Sequence, residues 1–210
     1  MDACEQLTRE AIRLHERYQR EFVEHLNVCP WAKSSHDAGR TRLHVVTELQ
    51  CATEGLRPLL ADWSADKDVD VGFVICPRWR ADAHAFEHWA GGLRDAGPTF
   101  LTATFYPGAS QGAVTFFRQS PDPTVQLVRA SRLDELRAQD TPHYIDASAL
   151  SLEELSRQVT PRAVSESVFQ HNQDLVQREG RDALQSILDD IYADRDKTYA
   201  ALWDRFDKAK

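Results

Sequence analysis

The chain has 210 residues, 42% of them hydrophobic, which is enough apolar material for one substantial core and argues against wholesale disorder. A formal net charge of −8 excludes the broad basic face of a typical nucleic-acid binder. No apolar run approaches the roughly 20 residues that span a bilayer, and the acidic, polar start "MDACEQLTRE" is unlike a secretory signal. The expectation is therefore a cytoplasmic protein with neither a membrane nor a nucleic-acid partner. Four cysteines (4, 29, 51 and 76) stand without C-x-x-C spacing and read as free thiols, not as a disulfide framework.

In chain order, residues 5–28 read as one amphipathic helix, with Leu7, Ile12, Leu14, Tyr18, Phe22 and Leu26 at helical spacing. Pro30 ends that pattern and pushes Cys29 out of helical geometry. Cys29 is thus expected at or just past a helix C-terminus, whose partial negative charge would raise a thiol pKa. The polar stretch "KSSHDAGRT" reads as a loop and "RLHVVTEL" as a strand. "CATEGLRPLLADWSAD" is a helix with Pro58 in its first turn. "VDVGFVICP" (69–77) is a nearly continuous apolar run of strand length, expected to be buried on both faces. A helix over "ADAHAFEHWAGGLRDAG", a strand over "TFLTATFYPG", a loop 109–123, a strand "TVQLVRA" and a helix "SRLDELRAQ" follow.

That order predicts an α/β (α+β) fold, a central sheet of about four strands covered by helices, with an N-terminal helix and a helical C-terminal extension. Residues 1–160 read as the α/β domain. Residues 161–210 read as the extension, with a break at "REGRD", packed on that domain or making a homo-oligomer contact with a partner subunit.

Several groups of residues could carry chemistry. Glu21, His25 and Cys29 fall at i, i+4 and i+8, and adding His36 gives H-x3-C-x6-H, a ligand set for a mononuclear metal. Its plainer reading is a surface histidine and a buried cysteine. Cys29-Pro30 and Cys76-Pro77 repeat the dipeptide at which a thiolate can serve as axial ligand to haem, with Arg40, Arg42, Arg78 and Arg80 near in sequence as propionate partners. "HAFEH" (84–88) matches H-x-x-E-H on a helix, though a solvated helix face explains it as well. "FFRQSPDPTVQLVR" (116–129) brackets Asp122 with two prolines, a stiff turn that could present Arg118, Ser120 and Asp122 to a ligand. No nucleotide-binding glycine loop and no serine-hydrolase elbow is present.

The segments "LNVCPWA" (26–32), "GRTR" (39–42) and "FRQSPDPTVQLVR" (117–129) resemble a bacterial family known as domain of unknown function 1415. The family pattern carries L-N-L-C-P-F-A after an N-terminal helix, G-R-x-R soon after, and N-R-S-P-Y-P-T-x-x-L-L-R late in the domain. The resemblance spans roughly residues 10–165 and implies that Asn27, Cys29, Pro30, Arg40, Arg42, Ser120, Pro121, Pro123, Thr124 and Arg129 answer to the pattern. Tyr106, the extra Gln119 and Asp122 depart from it. The resemblance marks a site without naming a reaction.

Taken together, the sequence points to an enzyme acting on a small anionic or amino-acid-like molecule. Cys29 would be its thiolate, or the thiolate ligand of haem in an oxidative reaction, with His36 as the nearest base. Asn27, Trp31, Arg40, Arg42, Arg118, Ser120, Asp122 and Arg129 are the candidates for binding substrate or cofactor, and Cys29, His25 and His36 those for a metal. The alternative is a ligand-binding or regulatory module without chemistry, in which Cys29 is a packed core residue.

Overall fold

A computed structural model describes residues 2–49, 52–108, 116–132, 135 and 164–208. Among the described residues four strands form one mixed sheet: β1 (Thr41–Val45), β2 (Val71–Ile75), β3 (Phe100–Phe105) and β4 (Thr124–Arg129). Their order is β1-β2-β4-β3. β1 and β2 are parallel, which requires a crossover such as α3 supplies, and β4 runs antiparallel between β2 and β3. The fold is α/β.

Helices cover both faces. α1 (Ala3–Tyr18), α2 (Pro30–Asp37), α3 (Arg57–Ala65), α4 (Ala83–Ala96), α5 (Val164–Glu179) and α6 (Arg181–Lys208) account for most of the remaining described chain. α3 and α4 pack on one face, where Leu60, Trp63, Phe86 and Leu93 meet Val74, Phe100, Val125 and Leu127. On the other face Ala11 of α1 sits against Val71, Phe73 and Ile75. This accounts for the unbroken apolar run of β2, each residue of which is buried. α6 lies behind α1, joined by Leu7 and Leu14 against Tyr199 and Leu202. The apolar stripe of α6 (Leu184, Leu188, Ile191, Leu202) is buried within the chain itself.

Two local readings are corrected. The first helix does not run unbroken to residue 28. Gln19–Glu24 form a π-helical segment, with i+5 bonds from His25 N–H to the Arg20 carbonyl and from Val28 N–H to the Val23 carbonyl. The wider turn lets the neighbours Phe22 and Val23 both be buried. The stretch expected as a polar loop begins as α2, because proline at the first position of a helix has no bond to lose and a preset φ. Lys33 and Asp37 then pair at i, i+4. The "REGRD" break falls at Gly180, whose φ of 81° is the left-handed conformation that ends α5. Of the helix expected over 131–139, residues 130–132 and 135 are helical and the others lie outside the described residues, as do 109–115 of the loop and Cys51.

Gly72 marks the closest approach of a helix to the sheet. A Cβ there would stand 2.4 Å from the ring of Trp63 on α3. Gly72→Ala is expected to destabilise the protein by about 1–3 kcal/mol, read as a lower urea midpoint at unchanged m-value.

Candidate functional site at the start of the second helix

Cys29 caps the N-terminus of α2 with extended backbone (φ −132°, ψ 114°). Cys29 thus follows the end of the first helical stretch, as expected, and at the same time precedes a second helix that was not expected. Pro30 closes one helix pattern and opens another, so Cys29, whose side chain makes no capping hydrogen bond, stands at the N-terminal end of α2, where a helix carries partial positive charge. No acidic residue stands in the first turn of α2 to oppose it. Asn27 makes the preceding turn, and its φ of 53° is the one left-handed backbone among the described non-glycine residues. Trp31 is in the first turn of α2; its side chain lies outside the described ones.

The half-buried Cys29 packs on a cluster built from Tyr18, Phe22, Val28, Phe116, Phe117, Leu175, Leu184, Leu188 and Ile191. The Cys-Pro segment and the start of "FFRQSPDP" therefore share one apolar wall, with Phe22 and Phe117 ring centroids 6.1 Å apart. Polar groups thread this wall. The Gln119 amide donates to the Phe116 carbonyl and to Gln185 Oε1, each at 3.1 Å, and its Oε1 accepts from the Tyr192 hydroxyl at 3.1 Å. The Tyr18 hydroxyl is buried and makes no hydrogen bond. Burial pushes it far above the ordinary phenol pKa, with further contributions from Tyr192 and Cys29. Asn172 Oδ1, one turn before Leu175 on α5, is a second buried polar atom without a partner. Unpartnered buried polar atoms are uncommon in packed interiors.

The proline-stiffened turn is buried, not presented outward. Ser120 Oγ and Thr124 Oγ1 both donate to the Asp122 carbonyl, at 2.5 and 2.8 Å. The Asp122 carboxylate is 4% exposed and accepts from the Tyr199 hydroxyl at 2.8 Å. Arg195 on α6 holds the Pro121 carbonyl at 2.5 Å. Burial pushes the Asp122 carboxyl up to about 6, against the opposing effects of the Tyr199 bond and Arg195. Arg118 alone of this segment turns its side chain to solvent.

The remaining arginines stand elsewhere. Arg40 and Arg42 flank the start of β1, with Arg40 3.5 Å from the buried Asp70 carboxylate and 3.8 Å from Asp68. Arg42 donates to the Gly39 and Thr41 carbonyls. Arg129 gives four hydrogen bonds to the carbonyls of Val69, Ser64, Trp63 and Asp66, securing the end of α3. Asp70 and Arg129 oppose each other at the start of β2, whereas the turn around Asp122 enters at Ile75. Five residue steps of strand, roughly 17 Å, separate these two ends. Eight residues of α2, about 12 Å, likewise separate Cys29 from Arg40.

His36 lies seven residues along α2, about 10 Å from the cap and beyond hydrogen-bond reach of a reacting thiol. Its Nδ1 pairs with Glu24 at 2.9 Å, tying α2 back to the π segment. His25 is exposed. Among the described residues no three His, Cys, Asp or Glu side chains converge as a metal would require, because the π segment and the Asn27 turn break the register that aligned His25 with Cys29. His84, Glu87 and His88 are all exposed on the outer side of α4, a solvated face. Cys76 is 2% exposed in the core under α4, so its Cys-Pro dipeptide offers no open face to a haem. Tyr192, Tyr199 and Asn172 were not among the residues the sequence singled out, and Tyr18 entered only as a member of the apolar stripe of the first helix. Only Gln119, as an interruption of the family pattern, carried a visible signal. In comparison with known proteins, no family model, no curated protein and no solved structure matches this chain.

Two buried titratable groups give opposite pH dependences. Burial against Phe73 lowers His15 from 6.5 to about 3. Between those values the unfolded chain binds the extra proton, so stability falls as pH drops from about 6.5 toward 3. Asp122 binds its proton more tightly when folded, so its contribution falls as pH rises from about 4 to about 6. The His15 window is the wider of the two, and of this pair it dominates, by roughly 2 kcal/mol at about 1.4 kcal/mol per pH unit. His15→Leu is expected to flatten the acid loss. Asp122→Asn, which keeps an acceptor for Tyr199, should steepen the rise of stability between pH 4 and 6. Urea titrations at several pH values measure both slopes.

Proposed function

We propose that the protein is an enzyme acting on a small anionic molecule, with Cys29 as its reactive thiolate. The placement of Cys29 at the N-cap of α2 carries this reading. A partly exposed thiol at the N-cap position of a helix stands where the partial positive charge of the helix end favours the thiolate. The Tyr18 hydroxyl packs on the same wall and stays protonated, because burial pushes its pKa far above the ordinary phenol value. Positive charge for an anionic substrate would come from arginines joined to the same wall. Arg181 lies over the Phe116 ring at 5.0 Å, and Arg118 follows Phe117. Arg40 and Arg42 belong instead to the ion pairs at the far end of the sheet. The family resemblance supports the same cysteine and supplies no chemistry of its own. As a cytoplasmic enzyme the protein would hold such a thiol reduced.

Alkylation of the native protein with iodoacetamide, resolved by peptide mass spectrometry across pH 5–10, tests the reading. Cys29 is expected to react faster than the exposed Cys4 at pH 7, with a midpoint below the ordinary thiol value of about 8.5. Cys29→Ser should remove that reaction while leaving the unfolding transition nearly in place. A Cys29 that stays unmodified in the native state, while Cys4 is labelled, would make it a packing residue and favour a module that binds without catalysing.

A further inference from the structure

The two edges of the sheet differ in how they meet solvent. β1 carries Arg42, and a charge on an edge strand opposes pairing with another chain. β3 reads Phe-Leu-Thr-Ala-Thr-Phe, with no charge, no proline and an unbroken six-residue register with β4. Its edge thus lacks the devices that normally block addition of a strand. Leu101 is 48% exposed on the sheet face that α1 covers only over β1 and β2.

The backbone fixes which groups point outward. Ala130 N–H donates to the Thr99 carbonyl, so in the β3–β4 ladder the odd-numbered residues of β3 bond to β4 and the even-numbered ones face away. Arg129 N–H donating to the Asp70 carbonyl assigns the alternate residues of β4 to β2, in agreement. Among the outward N–H groups, that of Phe100 donates to the Gly97 carbonyl and that of Tyr106 to the Arg118 carbonyl. Among the described residues, Thr102 and Thr104 have no backbone partner on that side.

We propose that β3 is a homodimer interface, pairing antiparallel with β3 of a second copy about a two-fold axis at Ala103. Only this register joins the two open residues to each other. Thr102 faces Thr104 of the second copy and exchanges both backbone bonds with it, and symmetry repeats the exchange at Thr104. Ala103 then meets its own copy at the close, non-hydrogen-bonded spacing of about 4.5 Å between Cα atoms, and Leu101 meets Phe105. Threonine opposite threonine and aliphatic opposite aromatic are favourable cross-strand pairs, and no like charges face each other. Pro98 and Pro107 bracket the strand, so the pairing stops at six residues and closes as a dimer. The two sheets become one of eight strands.

Sedimentation equilibrium over a concentration series reaching about 100 μM tests this. The wild-type protein is expected at twice its monomer mass of 23.9 kDa. Ala103→Lys places two ammonium groups side by side across the axis and should give monomers with an unchanged circular dichroism spectrum. Mixing Ala103→Lys with Ala103→Glu should restore a dimer that neither forms alone. Where Ala103→Lys fails to fold, Leu101→Lys at the more exposed neighbouring position on the same face gives the same reading. A wild-type monomer throughout the series, or a dimer that persists in the folded lysine variant, overturns the proposal.

Discussion

The burial of α1 between two partners is the contact on which the rest of this structure depends. Ala11, small enough to bring the helix backbone close to β2, faces the sheet, and Leu7 and Leu14 face α6. Charge fixes the second contact in register. Arg13 and Arg17 both reach Asp194, at 2.8 and 3.0 Å, and hold its carboxyl well below the usual range. These side chains are only partly buried, so the pairing contributes more to alignment than to free energy. With α1 in place, Tyr18 and Phe22 extend its face into the wall on which Cys29 rests.

From that arrangement follows the position of the candidate site. α1 passes into the π segment, Asn27 turns the chain, and α2 starts at Pro30, so Cys29 is held at a junction fixed on three sides. α5 adds Leu175, and α6 adds Leu184 and Leu188. The same α6 carries Gln185, Tyr192, Arg195 and Tyr199, each bonded to the segment 119–122. One helix thus orders both the hydrophobic support of the cysteine and the proline-stiffened turn.

The strands and most helices were legible because each is a run of one period. The unbroken apolar stretch 69–77 could only be a doubly covered strand, and Asp82 before "AHAF" acts as the N-cap of α4, accepting from Ala85 N–H. What escaped was set by contacts distant in sequence. A π turn has no period of its own, and α2 is too short and polar to show one. The arginines of "GRTR" look like ligand binders in a linear reading, yet their partners, Asp66, Asp68 and Asp70, lie about thirty residues on. Arg129 likewise resembles a binding arginine until the end of α3 is seen beside it. Tyr18 and Tyr199 sit on amphipathic stripes and look like packing residues. Only the fold shows that the Tyr199 hydroxyl donates to Asp122 and that the Tyr18 hydroxyl is buried without a hydrogen bond.

The pairing of α1 with α6 joins residues some 180 positions apart, Arg13 with Asp194 and Leu7 with Leu202. During synthesis α1, β1 and β2 leave the ribosome long before α6 exists. The outer face of α1, and the wall under Cys29, then have no cover, and local contacts cannot substitute for it. Folding of this half is late by construction, its rate governed by closure of a very long loop. A nascent chain of this kind exposes an apolar helix face for most of its elongation, the kind of surface that holding chaperones engage.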